Sequence, residues 1–241
     1  MTLKPLKLLA MKGVYAMANG IFITGTGTDI GKTYVTALLA KSLVQKGINA
    51  GYYKAAISGA ESIEESDAGY VKKISGINQE TETLLSYLYK NPLSPHLSAR
   101  IEGNPVELEK VKKDFETVLK SHEYVFVEGS GGIVCPIRLD EKCFIMLEDI
   151  VKALELDTII VADAGLGTIN AVVLTVSYLR EKGIKVRGII LNNYDENSLM
   201  HKDNLFMIEK LTDVKIVGTV SRNAENKDYL CDPIKLYFGD E

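Results

Sequence analysis

The chain has 241 residues, 46% of them hydrophobic and 25% charged, the make-up of a soluble globular protein able to bury one sizeable core. Its formal charge of −4, with lysines scattered along the sequence, leaves no basic stripe for a phosphate backbone and argues against nucleic acid as a partner. Cys135, Cys143 and Cys231 are too widely spaced for a disulfide framework or a paired-cysteine metal site, so a reducing compartment is expected.

Residues 1–16 hold an apolar patch, Leu8 to Met11, that Lys12 interrupts before it reaches signal-peptide length. They read as a leader outside the fold, with Met17 available as a start, and 17–241 as a single domain. No run elsewhere approaches the ~18 uncharged apolar residues of a membrane span. The expectation is a cytoplasmic protein with no membrane partner.

From there, short β-branched apolar runs at 21–24, 50–53, 124–127, 158–162, 186–191 and 215–220 alternate with amphipathic stretches at 33–46, 106–121, 146–156, 169–182 and 200–211. This alternation predicts a doubly wound, mostly parallel sheet buried on both faces. Gly47 and Gly183 stand where helices need a left-handed cap. The stretch 58–105 breaks the rhythm and is expected to be a long excursion with short helices only, around 67–74 and 81–87. Ligands in such a fold gather outside the carboxyl ends of the strands.

Directly after the first predicted strand comes Gly25-Thr26-Gly27-Thr28-Asp29-Ile30-Gly31-Lys32-Thr33, opening into a helix through Tyr34. Glycines let backbone N–H groups turn inward around phosphate oxygens, and the helix N-terminus adds partial positive charge. Lys32 supplies a full charge to the β/γ-phosphates, and the Thr33 hydroxyl suits Mg²⁺. Five residues stand between Gly25 and Gly31, one more than the usual spacing. An ordinary glycine turn entering a helix would not call for Lys and Thr together, so nucleotide binding is expected.

Glu128, ending the run Val125-Phe126-Val127, is a Mg²⁺ candidate, and Asp67 is a second, although a carboxylate in that acidic segment also reads as a solvated helix cap. Lys54, just past the predicted strand 50–53, should reach the same crevice and neutralise a transferring phosphoryl group. Ser58-Gly59 offers a hydroxyl and N–H groups, and Gly129-Ser130-Gly131-Gly132 allows close backbone approach. His96 reads as a packing residue.

The loop GTGTDIGKT, Tyr53-Lys54-Ala55-Ala56-Ile57-Ser58-Gly59, Ser66-Asp67-Ala68, Ser94-Pro95-His96 and Val127-Glu128-Gly129-Ser130-Gly131-Gly132 resemble, in that order, the motifs of dethiobiotin synthetases. The resemblance runs from about residue 19 to 226. It implies closure of the ureido ring of dethiobiotin from 7,8-diaminononanoate, CO₂ or bicarbonate, and ATP with Mg²⁺, through a carbamate and its mixed anhydride with phosphate.

Position by position, the resemblance makes Lys32 and Lys54 the phosphate and carbamate lysines, and Thr33, Asp67 and Glu128 the metal ligands. Gly25, Thr28, Asp29, Ile30, Gly31 and Tyr34 fall in the nucleotide loop, with Asp29 standing for a glutamate near the reacting groups. Thr28, Ser58 and Gly129 match substrate-contacting positions. Asn192 matches the residue that reads the adenine edge, with Asn193 a near alternative. The family is a homodimer, and Gly167 and Asn170 resemble the part that receives the substrate carboxylate from the neighbouring subunit. Ala55 and Gly27 depart from the family's proline and aspartate. Two alternatives stay open: a switch ATPase of the ParA/MinD type, and another ATP-dependent ligase of the same superfamily. Removing either lysine's charge is expected to slow turnover by orders of magnitude with folding intact.

Overall fold

A computed structural model describes residues 20–222, 229–230 and 232–238. The predicted leader 1–16, the start at Met17 and Cys231 lie outside the described residues. Among those described, eight strands form one sheet in the order β10-β9-β8-β7-β1-β4-β2-β3. The strands are β1 (Gly20–Gly25), β2 (Ala50–Ser58), β3 (Leu85–Tyr89), β4 (Tyr124–Glu128), β7 (Thr158–Asp163), β8 (Val186–Asn192), β9 (Ile216–Val220) and β10 (Tyr229–Leu230). All pair in parallel except β10, which runs antiparallel to β9. A separate hairpin joins β5 (Pro136–Leu139) to β6 (Phe144–Met146).

The helices are α1 (Lys32–Gln45), α2 (Asp67–Ser75), α3 (Pro95–Ile101), α4 (Leu108–Ser121), α5 (Leu147–Ala153), α6 (Thr168–Glu181), α7 (Leu199–Thr212) and α8 (Pro233–Phe238). None is long and apolar enough to cross a membrane. Gly47 and Gly183 take φ of 74° and 72° just past α1 and α6, the left-handed conformation that a residue without a Cβ adopts most cheaply.

Successive strand residues face opposite layers. In β1, Ile21 and Ile23 pack with Val35 and Leu39 of α1, whereas Phe22 joins Phe115, Val172 and Leu179 of α4 and α6. Burial on both faces explains why the parallel strands read as unbroken apolar runs. The strand order reverses at β1, whose neighbours are β4 on one side and β7 on the other, and this switch point opens the crevice at the carboxyl ends of β1, β4 and β2.

Two expectations are corrected. The predicted helix around 81–87 is a single 3-10 turn, Thr81–Thr83, followed by the edge strand β3. Buried Leu85, Tyr87 and Tyr89 alternate with half-buried Ser86 and Leu88, a period of two that puts aromatic residues on the core. Lys54 does not follow its strand: β2 continues through Ser58 because β3 joins it from Lys54 onward.

Candidate active site

The loop after β1 folds into a nest closed at its end by Gly31, whose φ of 90° lies in the left-handed region. A Cβ there would stand 2.1 Å from Asn192 Nδ2. Asn192, at the carboxyl end of β8 and 6% exposed, donates from Nδ2 to the Ile30 carbonyl at 2.9 Å. The loop is thereby tied to a strand two places away in the sheet. Asn193 is turned elsewhere, donating to Asp163 at 2.6 Å. Lys32 folds back to donate to the Gly27 carbonyl at 2.9 Å, and burial lowers its ammonium below the ordinary lysine value. An ammonium so desolvated gains from an anion within the loop, and phosphate oxygens are the groups such a nest of N–H donors accommodates. Asp29 sits exposed at the loop's tip with φ of 57°, a left-handed conformation in which Asp is among the better tolerated residues.

Alternation along β2 puts Tyr52 and Lys54 on the α1 face, and alternation along β4 puts Phe126 and Glu128 on the same face. Tyr52 pairs with Phe126 and Tyr53 with Val127, so the next step brings Lys54 beside Glu128. Lys54 Nζ donates to Glu128 Oε1 at 2.9 Å and to Asp67 Oδ2 at 2.5 Å. Thr33 Oγ1 donates to the same Glu128 oxygen at 2.8 Å, and the Tyr52 hydroxyl to Oε2 at 3.1 Å. Burial pulls the Lys54 pKa down, but Glu128 and Asp67 more than offset it and hold the ammonium above its usual range. Asp67 is the first residue of α2, and Ser66, not Asp67, caps that helix by accepting from the Ala68 N–H at 3.2 Å.

The donor set fits Mg²⁺. Two carboxylates and a hydroxyl, all hard oxygen donors, converge on a point beside the phosphate loop, and a protein cation already lies between the carboxylates. Among the described residues no cluster of three or more His, Cys, Asp or Glu offers a rival metal site. A sparse protein contribution is what a cation that keeps several waters and binds phosphate oxygens requires.

The crevice has two lobes. One, of about 540 Å³, is lined by Lys32, Thr33, Tyr34, Asp67, Tyr70 and Glu128 among others. The second, of about 650 Å³, is lined by Ile57, Ser58, Leu93, Pro95, Ser130 and Cys135. Thr28, Asp29, Lys54, Asp67 and Gly131 border both. The Ser58 hydroxyl is buried without a hydrogen-bond partner at the edge of the second lobe. Gly129 lines neither lobe: a Cβ there would lie 2.9 Å from the Phe22 ring, so packing accounts for that glycine, whereas Gly131 borders both lobes. Gly167 and Asn170 lie exposed at the start of α6, outside both lobes. Sequence reasoning missed Tyr52 and Cys135. Tyr52 was findable as the residue two before Lys54, hence on its face.

This sheet, loop and lysine define a P-loop nucleotide-hydrolase fold. Solved structures share it: the MinC:MinD cell division complex of Aquifex aeolicus aligns with a TM-score of 0.55 at 17% identity over 86% of this chain and 82% of that one. A ParA family ATPase from Chlorobium tepidum aligns at 0.53 and 15%, covering 92% and 90%. A family model described as an AAA domain matches residues 19–228. The ATP-dependent dethiobiotin synthetase BioD of Brachyspira hyodysenteriae is 54% identical over 85% of this chain and 92% of its own. That of Clostridium novyi is 46% identical over 93% and 95%. The chain belongs to the ATP-dependent dethiobiotin synthetase family.

Proposed function

We infer that the chain is an ATP-dependent ligase that makes dethiobiotin from 7,8-diaminononanoate, CO₂ and ATP in biotin biosynthesis. The observation that carries this reading, beside the family, is the shared border of the two lobes: Lys54 faces both a phosphate loop and a second cavity with an unpaired hydroxyl at Ser58. A switch ATPase has no need of that second cavity, and the MinD and ParA likenesses concern the fold alone.

In the proposed reaction one amine of the diamine attacks CO₂ and releases a proton, giving a carbamate. A carbamate oxygen attacks the γ-phosphorus of ATP, and ADP leaves. The second amine then attacks the carbamoyl carbon, phosphate leaves, the amine releases a proton, and the ring is closed. Positioning and electrostatics are the protein's main tasks in such a sequence. The loop from Gly25 through Tyr34 holds the phosphates, Lys32 neutralises the β/γ oxygens, and Lys54 exchanges its carboxylate partners for carbamate and phosphoryl oxygens. Asp29 and Thr28 stand at the border where the diamine meets the γ-phosphate. Ser58 and the backbone at Ser130 and Gly131 orient the diamine.

Thr33, Asp67 and Glu128 would hold Mg²⁺, which supplies charge neutralisation on the phosphate oxygens when bound. With Nδ2 of Asn192 engaged on Ile30, its Oδ1 is the atom suited to accept from an adenine amino group. The substrate carboxylate is assigned to the start of α6 of a second subunit, at Gly167 and Asn170. Three features support this. Gly167 caps α6 with no side-chain hydrogen bond, the Thr168 hydroxyl is buried without a partner, and Leu166 is 94% exposed beside them. The functional unit is accordingly a cytoplasmic homodimer, each chain contributing one P-loop domain over 17–241.

Phosphate release from MgATP by the purified protein, with and without diaminononanoate and bicarbonate, tests the reading together with mass spectrometry of the product. Diamine-stimulated release with the dethiobiotin mass is the expected result. Nucleotide binding without diamine-dependent turnover would return the chain to the switch-ATPase or related-ligase alternatives.

A further inference from the structure

Three donors serve the Glu128 carboxylate, and they divide unequally. Thr33 and Lys54 both donate to Oε1, at 2.8 and 2.9 Å, while the Tyr52 hydroxyl alone donates to Oε2, at 3.1 Å. Thr33 and Lys54 also border the crevice, where the reading above gives each a partner among the phosphate, metal and carbamate oxygens. Tyr52 borders neither lobe and is fully buried. It is the one donor of the three with no other task once the site is loaded.

We propose that Tyr52 is a positioning residue for Glu128, holding Oε2 inward so that Oε1 stays turned to the crevice after Thr33 and Lys54 have shifted to the ligands. The proposal rests on the reading of Glu128 as a Mg²⁺ ligand. The Tyr52 ring is held by its packing in the core, and its backbone separately by Gln79. Its N–H donates to Gln79 Oε1 at 2.8 Å, and Gln79 Nε2 donates back to the Tyr52 carbonyl at 2.9 Å. A buried side-chain amide thus completes the hydrogen bonding of β2 just before β3 joins the sheet at Lys54. Tyr52 is paired with Phe126, and Glu128 lies two residues further along β4 on the same face. A phenol spans that diagonal, whereas Phe or Leu would fill the core and leave one oxygen of a buried carboxylate without a donor.

The test compares Tyr52→Phe, Gln79→Ala and Glu128→Gln with the wild type. Mn²⁺ replaces Mg²⁺ and is titrated by electron paramagnetic resonance in the presence of a non-hydrolysable ATP analogue; kcat, KM for ATP and melting temperature are measured alongside. Tyr52→Phe is expected to weaken Mn²⁺ binding about tenfold, the lower end of the loss typical when a ligand's outer partner is removed, and to lower kcat more than it raises KM. Gln79→Ala is expected to lower the melting temperature and keep the wild-type Mn²⁺ affinity. A Tyr52→Phe protein with wild-type Mn²⁺ affinity and only a lower melting temperature would overturn the proposal. So would a Gln79→Ala protein that loses as much affinity as Tyr52→Phe, because disturbed packing would then account for both. If Glu128→Gln leaves Mn²⁺ binding unchanged, the metal reading itself falls and takes the proposal with it.

Discussion

Lys54 Nζ bridges Asp67 Oδ2 and Glu128 Oε1 at 2.5 and 2.9 Å, so a single buried ammonium joins carboxylates carried by α2 and β4. Removing it leaves Glu128, whose side chain is fully buried, without its cation. Lys54→Met should therefore lose about 3–5 kcal/mol of stability, the usual cost of breaking a buried pair, as well as nearly all turnover. Among the described residues the Lys32 side chain donates only to the Gly27 carbonyl, so Lys32→Met should fold almost normally and lose roughly 10²–10³ in kcat. The expectation that both variants fold intact is thus narrowed to Lys32. Urea melts beside steady-state kinetics check the contrast, and equal stability of the two variants would contradict it.

Because Lys54 already neutralises both carboxylates, Mg²⁺ alone gains little by binding there. Nucleotide phosphates give the ammonium another partner and free the carboxylates, which couples the two ligands. Mg²⁺ should bind about 5- to 150-fold tighter in the presence of ATP analogue than in its absence, a coupling of about 1–3 kcal/mol. Calorimetric titrations in both orders measure it, and chelation by EDTA should loosen the nucleotide by the same factor. Equal Mg²⁺ affinity with and without nucleotide would refute the coupling.

Gly31→Ala meets two obstacles at once. Its φ of 90° disfavours any Cβ, and that atom would lie 2.1 Å from Asn192 Nδ2. The loop must move off β8 to relieve the contact, so nucleotide affinity should fall by a factor of about 10 or more, with a stability loss of about 1–2 kcal/mol from the backbone alone. Fluorescent-nucleotide binding and thermal melts report the two effects separately.

Tyr237 of α8 is buried against Tyr124 and Phe126, with ring centroids 4.7 and 5.7 Å away, and its hydroxyl has no hydrogen-bond partner among the described residues. Tyr237→Phe should be neutral or stabilising by about 1 kcal/mol at pH 7, since it removes an unpaired buried polar group. Burial raises the phenol well above the ordinary tyrosine value of 10.0. Above that pH the unfolded chain releases a proton that the native chain keeps, so this contribution is fully present below pH 10.0 and is lost as pH rises. Tyr237→Phe should flatten the alkaline limb by up to about 1.4 kcal/mol per pH unit. Urea melts at pH 9, 10 and 11 test this, and identical alkaline limbs for the two proteins would count against it.

The sheet was legible wherever burial on both faces wrote continuous β-branched runs, and the phosphate loop was legible from glycine spacing ahead of Lys32 and Thr33. What escaped was set by partners distant in sequence. Leu85 to Tyr89 alternate at the period of a strand, yet the segment sits in a polar excursion, and only pairing with β2 makes it one. Ala55 and Ala56 carry little strand preference, which hid the continuation of β2 and made Lys54 look terminal rather than buried. Tyr52 looked like any core aromatic because its function depends on a carboxylate 76 positions away. The assignments of Gly167 and Asn170 involve a second subunit and have no counterpart in the crevice of one chain.

Gln79 reaches Tyr52 from the middle of the excursion, and nearer its start Ala68 and Val71 of α2 share one buried core with Tyr52 and Ile57 of β2. The helix so anchored, α2, begins at Asp67. The loop-borne carboxylate is therefore moored to the sheet, and its stretch of chain opens only when β2 itself opens. Amide hydrogen exchange at Tyr52 and through α2 would then belong to the slow, globally unfolding class rather than to the fraying of a surface loop.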